Sequence, residues 1–332
     1  MKQNSLPFEN AKHDILVKRE TETSPKFGCR PEERTAEQLL SLGIINIDKP
    51  KGPTSHQVSA YVQKILNIHK GGHSGTLDPK VTGVLPVAVG KATRIVQALL
   101  IAGKEYICIM HVHKELPEEQ ILKTMKEFTG KITQLPPVKS AVKRQWRERS
   151  VYYIEVLDIV GQDVLFVIGC QAGTYIRKIC HDIGKSLGCG AHMAELRRTK
   201  AGPFDESTLV TLHDLTDAYW YWKEEKNDRY LRNVILPVEK AVAHIPKIWV
   251  ADTTVDSICH GAHLAVPGIA KLESGIEKDK TVAIMTLKEE LVALGDAKMS
   301  SQEIMKNEKG IVVKTSKVFM EPGIYPKIQR AE

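Results

Sequence analysis

The 332 residues contain no apolar run approaching the length of a membrane span; Val84-Leu85-Pro86-Val87-Ala88-Val89 is far too short. Residues 1–35 are polar and of mixed charge, with no apolar stretch like that of a signal peptide. The six cysteines, Cys29, Cys108, Cys170, Cys180, Cys189 and Cys259, form no Cys-x-x-Cys pair. Their scatter fits small buried side chains in a reducing compartment better than a disulfide frame or a zinc site. Nucleotide-binding glycine motifs are missing as well. Gly184-Lys185-Ser186 has Ile179 where a phosphate-binding loop needs its first glycine, and Gly188-Cys189-Gly190 has Met193 in place of the third glycine of a dinucleotide fingerprint. His111 and His113 share one face of a strand, but no third ligand stands nearby in sequence, so they read as ordinary strand histidines. These absences predict a protein of the cytoplasm with no part in a membrane, and leave no sequence motif for a metal or a nucleotide cofactor.

The composition is that of a globular chain, with a modest net charge of +7 that is compatible with an anionic partner. At roughly 100–200 residues per domain, the length suggests about two domains. After a charged arm over residues 1–35, Ile44–Ile47 reads as a strand. Lys49-Pro50-Lys51-Gly52-Pro53 is a tight loop, and Thr54 or Ser55 caps a helix with apolar positions at Val58, Tyr61, Val62 and Ile65. Residues 71–83 form a glycine-rich loop, and Pro86 places the following strand at an edge or a bend. Strands are expected at Tyr106–His113, and at Tyr152–Val160 and Val164–Cys170 as a hairpin. Helices are expected at 92–100, 117–129, 176–187 and 213–226. Strands and helices mix without βαβ regularity, which predicts an α+β fold with a mixed sheet. Beyond Pro246 short strands and turns alternate, as in a small β-barrel of about 85 residues.

Several motifs occur in order. The first is Lys49-Pro50, Gly52 and Thr54-Ser55. Next come Gly72-His73, Gly75-Thr76-Leu77-Asp78-Pro79 and Thr82-Gly83-Val84-Leu85-Pro86. Lys104-Glu105-Tyr106, Gly173-Thr174-Tyr175-Ile176-Arg177, Ala191-His192-Met193 and Leu196-Arg197-Arg198 follow. Together they resemble the pseudouridine synthase family that includes the bacterial enzyme acting on the tRNA T-loop. The resemblance is strongest to the archaeal and eukaryotic, dyskerin-like branch, which is guided by H/ACA RNA. It covers nearly the whole chain from about residue 24, and the last 85 residues resemble a PUA domain. The absence of long lysine-rich tails favours the archaeal type.

The resemblance implies a synthase domain over 36–246 and a PUA RNA-binding domain over 247–332, with the arm possible packing for the latter. It makes Asp78 the catalytic aspartate, acting on the sugar, on the base, or by removing a sugar proton. Arg177 is the partner that keeps this carboxylate charged and aimed. Tyr106 is the ring that stacks on a flipped uracil, and Leu196 is a wall of the same pocket. His73 meets the RNA. The stretch Lys139, Lys143, Arg144, Trp146, Arg147 and Arg149 reads as a basic loop suited to gripping phosphates, and by resemblance it is a clamp on substrate RNA. Arg197 and Arg198 form a second basic cluster. Gly261 and Gly268 let the barrel backbone approach nucleotides. The implied partners are an H/ACA guide RNA, a substrate RNA and small accessory proteins of the particle. Two other readings stay open: a synthase acting on tRNA without a guide, and a non-catalytic RNA-binding scaffold.

Overall fold

The computed structural model describes residues 4–136 and 144–327. The arm contributes β1 (Ile15–Val17). The next 220 residues or so supply β2 (Gly43–Lys49), β3 (Gly71–His73), β4 (Thr82–Val89), β5 (Lys104–Val112), β6 (Gly130–Gln134), β7 (Arg147–Val160), β8 (Asp163–Cys170), β9 (Ala191–Ala201) and β10 (Leu236–Pro237). The last part adds β11 (Lys247–Val250), β12 (Leu264–Ala265), β13 (Ile269–Glu273), β14 (Thr281–Thr286), β15 (Leu291–Ala297) and β16 (Ile311–Val318).

Strands β2 to β10 form one mixed sheet in the order β10-β2-β4-β9-β5-β8-β7-β6, with β3 paired to β4. At its centre β5 alternates buried and half-buried residues along its whole length, as expected of a strand with one face on a core. The helix Ser55–Ile65 starts where Thr54 accepts from the Gln57 N–H and Gln57 returns the bond, and it buries Val58 and Val62. The helix Ile176–Ser186 buries Ile176, Ile179, Cys180 and Ile183 under β5 and β9.

Two expectations are corrected. Pro86 lies inside a buried strand that has neighbours on both sides, not at an edge. Its carbonyl accepts from the Ser74 N–H, away from β2, so its missing N–H faces the gap between the short β3 and β9 pairings and no ladder bond is lost. The basic stretch before Ser150 is not all loop: Arg147 and Arg149 begin β7 and pair with Gln134 and Ile132 of β6. Cross-strand pairing over β6 overrides the polar character that made the segment look irregular.

The second sheet runs β1-β13-β11-β14-β15-β16-β12, so the arm supplies one of its edge strands. Two short helices, Asp252–Cys259 and Ser301–Lys306, pack on it where the sequence showed only strands and turns. The first contains Thr253, Thr254 and Val255, whose β-branched side chains disguise it. The two sheets share one core: Trp249, Met285, Leu291, Leu294 and Phe319 pack with Ile44, Val84, Ile95 and Val238. The arm binds both parts. Leu6 is fully buried near Gly103, Glu9 pairs with Lys200, and Ile15–Val17 pairs with Lys271–Glu273. Among the described residues no helix is long and apolar enough to cross a membrane.

Candidate active site

The loop between β3 and β4 presents Asp78. Its backbone is tied down at nearly every residue. The Ser74 N–H bonds the Pro86 carbonyl at 2.9 Å, the Leu77 N–H bonds Ser55 Oγ at 2.8 Å, and the Val81 N–H bonds the Asp78 carbonyl at 2.9 Å. Lys49, with no exposed surface, donates to the carbonyls of Pro50, Pro79 and Val81 at 2.9, 3.2 and 2.8 Å. Burial lowers the Lys49 pKa, the nearby Arg198 charge adds to this, and Asp78 opposes it. At Gly83, φ is +100° and a Cβ would lie 2.2 Å from the Arg198 carbonyl, so only glycine lets β4 approach β9 here.

Arg177, the second residue of its helix, places Nη2 2.6 Å from Asp78 Oδ2. The Asp78 and Arg177 side chains are about half exposed, at 49% and 56%, so the pair faces the surroundings and not the core. A charge-assisted contact of this length holds the carboxylate in one orientation. Next to it Tyr106 is 9% exposed and packs in one apolar cluster with Leu77, Val81 and the half-buried Leu196. The register explains the meeting: on β9, Arg198 lies opposite Tyr106 and Leu196 lies opposite Cys108. Asp78 and Arg177 thus meet across the fold, and Tyr106 and Leu196 belong to the apolar cluster that also takes in Leu77, the residue before Asp78.

His73 ends β3. Its Nδ1 accepts from the Gly75 N–H at 3.3 Å, and its Nε2 lies 3.3 Å from His56 Nδ1. Burial, helped by His56 and Arg198, pushes its pKa down to about 4. At neutral pH the ring is therefore uncharged.

The predicted RNA surface divides. Arg144 and the 66% exposed Trp146 line a cleft of about 590 Å³ with Arg177, His181 and His192, so this part of the basic stretch shares a cleft with the partner of Asp78. Arg147 and Arg149 lie on β7, and Arg149 donates to the Glu148 carbonyl. Lys139 and Lys143 lie outside the described residues. The second basic cluster is not an open surface. Arg197 is held by Asp48 and Glu206, at 2.9 and 2.6 Å. Arg198 is 1% exposed and bonds the Val84 carbonyl. Both were read as surface groups because the sequence does not show that β9 lies between β4 and β5. In the second sheet, Gly268 lines a cleft of about 710 Å³ with Thr254, Ser257 and His263. Gly261, at φ +89°, ends the helix Asp252–Cys259 beyond His260, with open space around it.

Sequence reasoning assigned no task to Lys49 or Lys104 and offered Ser55 only as a helix cap, a place Thr54 takes while Ser55 holds the Leu77 N–H. The usable signal was a polar or cationic residue within a strand or at the start of a helix that had to be buried. It also missed His192, which β9 brings beside His111 and His113, with ring centroids 5.3 and 5.1 Å away. Among the described residues no three such groups are arranged to hold a metal ion.

The comparisons agree over the whole chain. Residues 63–117 and 111–176 match the N-terminal domain of TruB family pseudouridylate synthases. Residues 177–243 match the C-terminal domain of tRNA pseudouridylate synthase B, 246–319 a PUA domain, and 3–59 a DKCLD (NUC011) domain. A probable tRNA pseudouridine synthase B of Pyrococcus furiosus is 59% identical over 319 residues, covering 96% of this chain and 94% of the relative. Its counterpart from Methanothermobacter thermautotrophicus is 56% identical, covering 96% and 98%. Among solved structures, a chain of a Cbf5-Nop10-Gar1 complex is 58% identical with a TM-score of 0.94, covering 98% of this chain and 99% of that one. A chain of an H/ACA ribonucleoprotein bound to a substrate RNA containing 2′-deoxyuridine is 56% identical with a TM-score of 0.92, covering 97% and 99%.

Proposed function

Since the chain belongs to the TruB family of pseudouridylate synthases, we propose that it isomerises chosen uridines of RNA to pseudouridine with Asp78 as the catalytic carboxylate. The observation that carries this assignment is the 2.6 Å contact of Arg177 with Asp78 beside an apolar wall of Leu77, Tyr106 and Leu196. A uridine flipped out of its helix stacks on Tyr106 and brings its sugar to the carboxylate. Arg177, which itself lines the cleft, holds the carboxylate in one orientation. The site suits three routes: attack on C1′, attack on the base, or removal of a sugar proton. In each, the uracil leaves N1-first, turns, and rejoins through C5.

The partners follow from the likeness to chains solved with Nop10, Gar1 and H/ACA RNA. The protein acts as the catalytic subunit of such a particle, in which a guide RNA selects the uridine and small proteins of those kinds complete the assembly. The working units are an arm over 1–35, a catalytic domain over 36–246 and an RNA-binding PUA domain over 247–332. Arg144 and Trp146, which line the cleft, meet the substrate RNA, and the cleft at Gly268 meets single-stranded guide RNA. Six free cysteines fit work in the cytoplasm.

The test is the protein assembled with guide, substrate and partner proteins, with pseudouridine read by mass spectrometry. Wild type should convert the paired uridine and Asp78→Ala should not; product from Asp78→Ala, or none from wild type, refutes the assignment. The names of the relatives favour a second reading, direct action on tRNA. Conversion of bare tRNA at a rate indifferent to guide would establish it.

A further inference from the structure

Among the described residues Arg198 is a buried arginine with no carboxylate partner: besides two backbone carbonyls it meets the Tyr106 side chain. Elsewhere this fold gives its enclosed arginines carboxylates: Arg34 has Glu239, and Arg197 has Asp48 and Glu206. Arg198, at 1% exposure, has the carbonyls of Val84 at 2.7 Å and Gly75 at 3.4 Å. Lys104, 5% exposed, approaches the same glycine and donates to the carbonyls of Leu99, Leu100 and Ala102. Burial and the Arg198 charge push the Lys104 pKa down to about 7, and burial lowers that of Arg198. Removing two like charges from water side by side is strongly unfavourable unless an anion offsets them. RNA phosphate cannot reach a guanidinium this enclosed. What lies against it is Tyr106, opposite Arg198 across β5 and β9.

We propose that Arg198, with Lys104, is a positioning residue whose buried charge stabilises the negative charge that develops on the uracil stacked over Tyr106. This rests on the assignment of Tyr106 and Asp78 above. By any route open to Asp78, the N1–C1′ bond breaks with its electron pair on the base. The C5–C1′ bond then forms from the π electrons of the base, the C5 proton leaves, and N1 ends protonated. Nothing is oxidised and no co-reactant is consumed. Charge peaks on the base between these steps, and a fixed cation in a water-poor site acts most strongly there.

The test compares leaving groups. Single-turnover glycosidic cleavage is measured on RNA carrying uracil or 5-fluorouracil at the target, since fluorine stabilises the departing anion. Arg198→Gln should slow cleavage of the uracil RNA about 10- to 100-fold with RNA affinity little changed, as loss of electrostatic stabilisation does. Its deficit should shrink several-fold on 5-fluorouracil, roughly in proportion to the charge no longer needed. Arg198→Lys should recover most of the rate. Should Arg198→Gln fail to fold, Lys104→Met makes the same comparison. An equal deficit on both bases, or none on either, overturns the inference in favour of a purely structural arginine. A wild-type protein inactive on both RNAs would instead defeat the assignment beneath it.

Discussion

Arg34 and Glu239 tie the arm to both sheets, and their removal has a size that can be worked out. Their side chains are 6% and 10% exposed and meet through two bonds, Nη1 to Oε2 at 2.8 Å and Nη2 to Oε1 at 2.7 Å. Glu239 Oε1 also accepts from the Leu291 N–H at 2.8 Å, on the first residue of β15. Burial opposes the Arg34 charge, yet Glu239 overcomes it and leaves the pKa above the ordinary value. Arg34→Met strands a buried carboxylate with one backbone donor and should cost about 3–5 kcal/mol. Glu239→Leu strands the guanidinium and should cost about the same. The double variant leaves no charge behind, only the Leu291 N–H unpaired, a loss of roughly 1–3 kcal/mol. The double variant should therefore be more stable than either single one. Urea denaturation followed by the fluorescence of Trp249, buried at the junction of the sheets, reads all three. Costs of the two single variants that simply add in the double one would refute the account.

Three further outcomes are expected. Gly83→Ala puts a methyl group against the Arg198 carbonyl at φ +100°; activity should fall with a destabilisation on the order of 1–3 kcal/mol or more, read by thermal melting. Burial pushes His244 down to about 4, below its ordinary 6.5. The unfolded chain therefore takes up this proton first, and the contribution is complete above pH 6.5 and lost as pH falls toward 4, by ~1.4 kcal/mol per unit of pH at most; His244→Gln should flatten that part of a stability profile. Arg177→Lys keeps the charge beside Asp78 but gives up the planar donor, and should lower kcat about tenfold or more with RNA affinity unchanged, measured in single-turnover and binding assays.

Asp78 among small residues and a proline reads by itself as a surface turn, and its assignment, like that of Arg177, comes from the family resemblance; the structure adds the contact between the two. Tyr106 and Leu196 needed the family resemblance, because each by itself is an apolar residue of a strand. What the sequence hid was set by pairing between distant strands. Nothing near Arg198 shows that β4 and β5 will enclose it, and Arg197, one residue earlier on the same strand, points to Asp48 and Glu206. Arg147 and Arg149 likewise owe their extended conformation to β6. Pro86 misled because it was read as an isolated breaker, while its missing donor falls where no neighbouring strand requires one.

The arm strand has a consequence for how the chain is made. Ile15–Val17 finds its partner in Lys271–Glu273, about 250 residues later. At roughly 5–20 residues per second, a ribosome needs on the order of 10–50 s to supply that partner. Through that interval Leu6 can dock beside Gly103, but the strand's hydrogen-bonding edge has nothing to pair with. The arm is thus synthesised long before its partner strand and is among the later segments to be finished. Its placement reports that the chain has been made at least through β13.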